Sequence, residues 1–283
     1  MQQVIDASVN ISKALDCLKQ SGVGTAIRYY NRNMTGKVVR APEFNAILAA
    51  GMSLCIVHQR GGRDPAEYGA QNGTLDAQYC RNYGKQLGQP GGSAVYFAVD
   101  FDISAADLKK FVMPYFQAVK NEMAKAGGLP SYRIGVYGSG MTCQTLLDAG
   151  LVQLTWLSQS RKFTGTPEFR QSNRWNLLQL MPEDMCGINV DPDIVNPTLP
   201  DFGQFDARGT IVVAAPKGDR FRAIARNGLR LRAGPGLGFD VIGSLAFGTE
   251  VHELSRADGW SLVDLQGDGK ADGSVSSDFL EKV

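Results

Sequence analysis

Over residues 1–200, short runs of β-branched and aromatic residues alternate with longer stretches whose apolar positions recur at helical spacing. This is the pattern of strands joined by crossover helices in a parallel sheet. Eight such runs read as strands: Gln3–Asp6, Thr25–Tyr30, Ser53–Gln59, Ala94–Asp100, Tyr132–Tyr137, Gln153–Ser158, Trp175–Leu180 and Ile188–Asp191. Eight strands close a TIM-type barrel, so this part is predicted to be α/β, a (β/α)8 barrel. The clearest helix follows the fourth strand. Ser104 is placed to cap it, with Asp107 three residues on, and Leu108, Phe111, Val112, Tyr115, Phe116, Val119 and Met123 form its apolar face. Pro114 within it predicts a bend or a late start. The connection 161–173 contains Pro167 and no apolar stripe, so one outer helix is expected to be short or missing.

Beyond the barrel the texture changes. From Pro197 to about Ala223 the chain turns to Pro, Gly, Asp and small residues, with Val212-Val213 the one strand-like run, and 201–223 reads as a linker, partly docked. Residues 224–283 carry short alternating runs around Leu229–Leu231, Val241–Leu245, Glu250–Ser255, Trp260–Asp264 and Ser274–Val275, separated by glycine turns. A small all-β barrel is predicted there.

Composition narrows the function classes. The formal net charge of +1 provides no field to attract nucleic acid or an anionic membrane, and neither is expected as a partner. No apolar run approaches the length of a membrane span. The five cysteines, Cys17, Cys55, Cys80, Cys143 and Cys186, are dispersed and odd in number, which favours reduced, partly buried thiols over a disulfide or zinc framework. The first residues enter a strand without the basic and apolar regions of a signal peptide. Synthesis in the cytoplasm is therefore expected, with a target outside it reached after lysis or by specialised secretion. No motif for a phosphate loop, a dinucleotide, a zinc protease or a nucleophile elbow is present, and no metal or cofactor is expected. The acidic run Asp264, Asp268, Asp272 lacks the spacing and closing Glu of a calcium loop.

In a β/α barrel, reactive groups sit at the C-terminal ends of the strands. Asp6 ends strand one, Asp100 and Asp102 end strand four, and Asp191 ends strand eight, beside strand one in a closed barrel. If strand four persists, Asp100 and Asp102 face the same way with Cα atoms roughly 6–7 Å apart. Carboxylates that close do not all ionise at neutral pH, so one retains a proton. A protonated acid beside carboxylates is the pair that glycoside hydrolysis uses. The competing reading for any single Asp is a cap on the next helix. Arg28, Tyr30, Tyr137, Trp156 and Gln179 lie at similar heights, with Tyr29, as candidates to stack on and hydrogen-bond a sugar. His58 and His252 read as half-buried structural histidines.

These residues carry a family resemblance. Asp6-Ala7-Ser8, Val95-Tyr-Phe-Ala-Val-Asp-Phe-Asp102, Gly135-Val136-Tyr137, Leu178-Gln179 and Val190-Asp191 resemble, in order and spacing, the glycoside-hydrolase-like domain of unknown function related to the family 25 lysozymes, which are muramidases. The segments Gly228-Leu-Arg-Leu-Arg-Ala-Gly-Pro-Gly236, Asp258-Gly-Trp260 and Gly273-Ser-Val-Ser-Ser-Asp-Phe-Leu280 resemble bacterial SH3-like domains, which commonly bind cell-wall peptides or glycans. The resemblance implies a barrel over 1–200 that cleaves peptidoglycan glycan strands and an SH3-like domain over 224–283 that tethers it to the wall, with stem peptides a further partner. An immunity protein is expected only for an injected toxin. It also implies Asp102 as proton donor, with Asp100, Asp6 and Asp191 orienting the sugar. The family has Glu where this chain has Asp102, one methylene shorter. The alternative readings are a wall-binding protein of weak or no activity, and a glycosidase acting on another polysaccharide such as chitin.

Overall fold

A computed structural model describes residues 3–33, 36–61, 63–210, 219–265 and 271–283. They form two compact units. In the first, the strands are β1 (Gln3–Asp6), β2 (Val23–Tyr30), β3 (Ser53–His58), β4 (Ala94–Ala98), β5 (Arg133–Gly138), β6 (Leu154–Leu157), β7 (Leu177–Gln179), β8 (Glu183–Met185) and β9 (Ile188–Val195). Around the ring the order is β3-β2-β1-β9-β7-β6-β5-β4, and β3 pairs with β4 to close it. The helices are α1 (Leu15–Gln20), α2 (Ala41–Ala49), α3 (Ala70–Leu87), α4 (Ala105–Asp107), α5 (Met113–Met123), α6 (Gly140–Asp148) and α7 (Thr166–Gln171).

This barrel is mixed and not the all-parallel TIM type expected. β9 runs antiparallel to both β1 and β7. The reason is chain length: only residues 180–187 separate β7 from β9, too few for the dozen or more that a parallel crossover needs. The chain instead turns back through the β8–β9 hairpin, pairing Glu183 with Val190 and Met185 with Ile188. Cys186 (φ 54°) and Gly187 (φ 76°) make its two-residue turn, both in the left-handed region that such hairpin turns require.

Side chains alternate between two cores because each strand has one face toward the barrel axis and one toward the helices. Inside are Val4, Ile27, Cys55, Val57, Ala94, Tyr96, Ala98, Tyr137, Leu154, Trp156 and Leu177. Outside, Ile5, Tyr30, Ile56, Phe97, Ile134 and Val136 pack against helical residues such as Leu18, Phe44, Phe116 and Leu146. Phe202 joins the inner core, and its carbonyl accepts from Tyr96 Oη at 2.9 Å.

Ser104 caps the α4 region, accepting from Asp107 N–H at 3.1 Å. A π-helical turn, Leu108–Val112, intervenes before α5. Pro114, the second residue of α5, has no N–H for the regular α-helical ladder, and the wider turn lies just ahead of it. The helix in 161–173 is the short α7.

Cys17, on α1, and Cys186, in the hairpin turn, form a disulfide with Cα atoms 5.9 Å apart. This corrects the expectation of reduced thiols for these two, whose separation of 169 residues hid the pairing. Cys55, Cys80 and Cys143 are free and buried.

The stretch expected as a linker, 201–223, divides. Phe205–Asp206 (β10) and Gly209–Thr210 (β11) form a small hairpin, Phe205 pairing with Leu54 of β3. Asp219–Ala223 (β12) is a strand of the second unit. Val212-Val213 lies outside the described residues.

The second unit is β-rich. Its strands β12, β13 (Leu229–Arg232), β14 (Val241–Leu245), β15 (Glu250–Ala257), β16 (Trp260–Asp264), β17 (Gly273–Ser276) and β18 (Leu280–Lys282) follow the order β14-β13-β17-β16-β15-β12-β18. Phe221, Leu229, Leu231, Leu245, Val251, Val263, Val275 and Leu280 fill its core. Asp268 of the acidic run lies outside the described residues. Among the described residues no helix is long and apolar enough to cross a membrane.

Candidate functional site at the barrel mouth

The inward alternation that fills the barrel with apolar groups ends, at the C-terminal side of β1 to β7, in polar ones. Asp6, Tyr29, Tyr137, Trp156, Gln179 and Asp191 line a cavity of about 240 Å³ there, with Asp100, Gln59, Gln159, Lys37 and Ser8 at its walls. Asp6 and Asp191 are directly paired residues of neighbouring strands. Asp191 reaches the mouth because β9 begins there and runs down into the barrel, the reverse of the direction expected. Two residues further along the same face, Asp193 is buried and accepts from Trp156 Nε1 at 2.7 Å. This fourth inward carboxylate lies beyond the strand Ile188–Asp191 expected from the sequence, although the i, i+2 spacing in Asp191-Pro192-Asp193 is the strand signal for it.

A relay of hydrogen bonds holds these groups. Tyr137 Oη donates to Gln179 Oε1 at 2.7 Å. The Gln179 amide then reaches Asp6 Oδ2 and Asp191 Oδ2, each at 3.3 Å. Tyr29 Oη donates to Asp6 Oδ2 at 2.9 Å, and Lys37 lies 5.3 Å from the Tyr29 ring centroid. On the far wall Gln59 Nε2 donates to Asp100 Oδ2 at 3.3 Å. Burial is the main cause of the electrostatics. It pushes Asp6 up to about 7, against the Tyr29 hydrogen bond and with the help of the Asp191 charge. Asp100 and Asp191 are raised by partial burial, and Asp191 also by the charge of Asp100. Asp193 is raised by burial and then by Asp6. Among the described residues Asp6 Oδ1 has no hydrogen-bond partner. Since Oδ2 accepts two hydrogen bonds, Oδ1 is the oxygen left for the retained proton.

Three of the expected site residues stand elsewhere. Strand β4 stops at Ala98, so Asp100 and Asp102 do not share a strand face. Phe101 between them is buried and packs on Tyr68. Asp102 is on the outside, its carboxylate accepting from Thr164 N–H at 2.8 Å and Thr164 Oγ at 3.1 Å. Arg28 and Tyr30 alternate with the inward Ile27 and Tyr29 and point toward the helices. Arg28 is fully buried against Glu43 of α2 and also donates to the Ala7 carbonyl. Tyr30 Oη donates to Gln89 Oε1 at 2.9 Å. Both hold the barrel to its helices and neither lines the mouth. His58 points outward too. Burial pushes it down to about 4, leaving it a neutral ring packed on Phe97 and Tyr79.

A wider groove of about 1130 Å³ adjoins the cavity and shares Asp100, Tyr137, Gln159 and Gln179 with it. Its outer wall is the β6–α7 loop and α7. That loop is fixed at two points: Asp102 holds Thr164, and the Thr164 carbonyl accepts from Met141 N–H at 2.9 Å. The approach is close enough that a Cβ on Gly140 would lie 2.0 Å from the Gly165 carbonyl oxygen.

The Rv2525c-like, glycoside hydrolase-like domain family matches residues 16–189, and the bacterial SH3 domain family matches residues 227–281. The chain is 30% identical over 179 residues to the uncharacterized protein YbfG of Bacillus subtilis (strain 168), a match covering 60% of this chain and 24% of YbfG. It is 25% identical over 173 residues to the uncharacterized protein FadG of the same organism, covering 60% of this chain and 30% of FadG. The chain thus spans less than a third of the length of these relatives. Among solved structures, the Mycobacterium tuberculosis Tat-secreted protein Rv2525c in complex with L-tartrate superimposes with a TM-score of 0.60 at 22% identity, over 72% of this chain and 98% of that one. With the barrel and its mouth laid out as above, the match over 16–189 identifies the chain as a member of the Rv2525c-like, glycoside hydrolase-like domain family, carrying a C-terminal bacterial SH3 domain.

Proposed function

We propose that this protein binds a cell-wall polysaccharide at the barrel mouth, with cleavage of the glycosidic bond weak or absent. One observation carries the reading. The mouth offers aromatic, amide and carboxyl groups suited to a sugar, while Asp102, the acid that the family resemblance implies as proton donor, is engaged by Thr164 outside the cavity. The bacterial SH3 domain supports a wall location, since a weak second binding module raises the effective concentration of the first on an insoluble polymer. Its groove of about 410 Å³, with Trp260, Phe279 and Leu237, suits the stem peptides. An extracytoplasmic setting is supported by the Cys17–Cys186 disulfide, because disulfides persist in oxidising compartments, and by the description of Rv2525c as Tat-secreted.

The test incubates the full chain with purified peptidoglycan and measures both sedimentation with the wall and new reducing ends. We expect retention on the wall with few or no new reducing ends. Rapid release of soluble fragments carrying new reducing sugars contradicts the proposal and establishes a glycosidase, a muramidase if the new reducing sugar is N-acetylmuramic acid.

A second reading, hydrolysis, is favoured by the high pKa of Asp6 beside less buried carboxyls. There Asp6, after its side chain turns the buried Oδ1 toward the cavity, gives its proton to the leaving glycosidic oxygen as the C–O bond breaks. Water then adds to the anomeric carbon and passes its proton to Asp100 or Asp191. Any turnover by this route falls as pH rises through about 7, because Asp6 loses the proton it must donate. Activity that continues to rise above pH 8 rules out Asp6 as the acid. Profiling on chitin and other glycans identifies the polymer.

A further inference from the structure

Beside the acidic cavity, the groove wall carries three exposed cations, Arg161, Lys162 and Arg170. Seven other arginines of this unit, Arg28, Arg32, Arg60, Arg81, Arg133, Arg174 and Arg208, make ion pairs with carboxylates, while among the described residues Arg40 and Arg63, outside the groove, make none. Among the described residues no such pair is made by Arg161, Lys162 or Arg170. Cations left without counter-ions in a concave site attract an anionic ligand and raise its local concentration. Phe163 on that wall, and Leu180 and Met181 just after β7, also line the groove, and Met181 is 73% exposed, providing an apolar surface for the carbon face of a sugar.

We propose that the groove is a subsite for an anionic glycan: a sugar bearing a carboxylate or phosphate, held by Arg161, Lys162 and Arg170, while an uncharged sugar of the same chain occupies the cavity around Asp6. The sign of charge fixes this orientation. The cavity has the less buried carboxyls Asp100 and Asp191 with Lys37 as its one cation, whereas the groove wall next door has three cations that draw an anion to it. Arg161 and Arg170 also present guanidinium forks that match a carboxylate or phosphate with two parallel hydrogen bonds. Asp102 acts as a positioning residue here. Its two bonds to Thr164 fix the loop that carries Arg161, Lys162 and Phe163. This inference rests on saccharide binding at the mouth and adds the class of sugar.

The experiment measures binding of the full chain by calorimetry at low and high salt to three probes: neutral chitohexaose, a hyaluronan hexasaccharide, in which glucuronate alternates with uncharged N-acetylglucosamine, and a chitohexaose phosphorylated on one terminal sugar. Expected is a preference of about tenfold for an anionic probe over chitohexaose, lost at high salt as charges are screened. Whether the carboxylate or the phosphate probe is preferred identifies the source of the anion. The triple variant Arg161→Gln, Lys162→Gln, Arg170→Gln removes the preference, bringing the anionic probes to the level of chitohexaose, while its urea unfolding midpoint stays at that of the wild type because exposed cations are not part of the core. Asp102→Asn lowers the preference without abolishing it. Chitohexaose bound as tightly as both anionic probes overturns the inference while leaving the function reading standing, as does a triple variant that retains the preference. No binding of any probe overturns both.

Discussion

Asp6 is where burial and chemistry meet at the scale of a single residue. A carboxyl with a folded-state pKa near 7 and an unfolded value near 3.9 binds more protons folded than unfolded between those limits. Its contribution to stability is therefore complete below about pH 4 and lost as pH rises through about 7. His58 acts in the opposite sense at lower pH: held near 4 in the fold and titrating near 6.5 unfolded, it costs stability as pH falls. The comparison that isolates Asp6 is with Asp6→Asn. We expect the stability of that variant relative to the wild type to grow by about 2–3 kcal/mol between pH 5 and pH 8, read from urea unfolding at each pH. Parallel curves contradict a raised pKa. Which residues reach the mouth was only partly legible in the sequence. Asp6, Asp100, Asp191, Tyr137, Trp156 and Gln179 were readable as strand-end polar groups, and they line the cavity. On β2 nothing local distinguishes Tyr29 from Tyr30. Their facing is decided by register against β1, where Asp6 pairs with Ile27, and a shift of one residue exchanges the two faces.

At the scale of elements, the connection between barrel and helices rests on the buried pair Arg28–Glu43, at 0% and 1% side-chain exposure. Removing one partner leaves an uncompensated buried charge, so Glu43→Ala is expected to cost about 3–5 kcal/mol in urea unfolding. A loss below 1 kcal/mol contradicts the pairing. The β6–α7 loop depends on its close packing against α6. In Gly140→Ala the added methyl displaces the Gly165 backbone, and the expected cost is about 1–3 kcal/mol. Anion preference is expected to fall with it, since the same loop carries the groove cations. Unchanged stability and preference contradict that account of the loop. The antiparallel β9 shows what a sequence reading can overlook. The strand itself is visible in the pattern, but its direction is set by the length of the connection before it, and residues 180–187 are too short for a crossover. The end of β4 at Ala98 was illegible for a different reason: Val99 and Phe101 continue an apolar alternation after the strand pairing has ceased.

Across the whole molecule, the disulfide ties α1 to the hairpin whose second strand carries Asp191 and Asp193. No local pattern announces a pair 169 residues apart; only the fold brings the two thiols together. Cys17→Ser is expected to lower stability by about 2–4 kcal/mol, measured against wild type under oxidising conditions, and a reductant is expected to bring the wild type to the same level. An unchanged midpoint shows that the bond does not form. Two-part organisation was legible because the period of apolar positions changes from a mixture of helix and strand to strand alone. The division within 201–223 was not, since β10, β11 and β12 are each only two to five residues long.

The central claim is that a buried, protonated Asp6 lies at the floor of a saccharide-binding mouth. Carbon-13 NMR of the aspartate carboxyls, followed through a pH titration with and without chitohexaose, tests it most directly. The account predicts that the signal lost in Asp6→Asn titrates near pH 7 and shifts when the oligosaccharide is added. A signal that titrates near pH 4 and is unmoved by the sugar contradicts it.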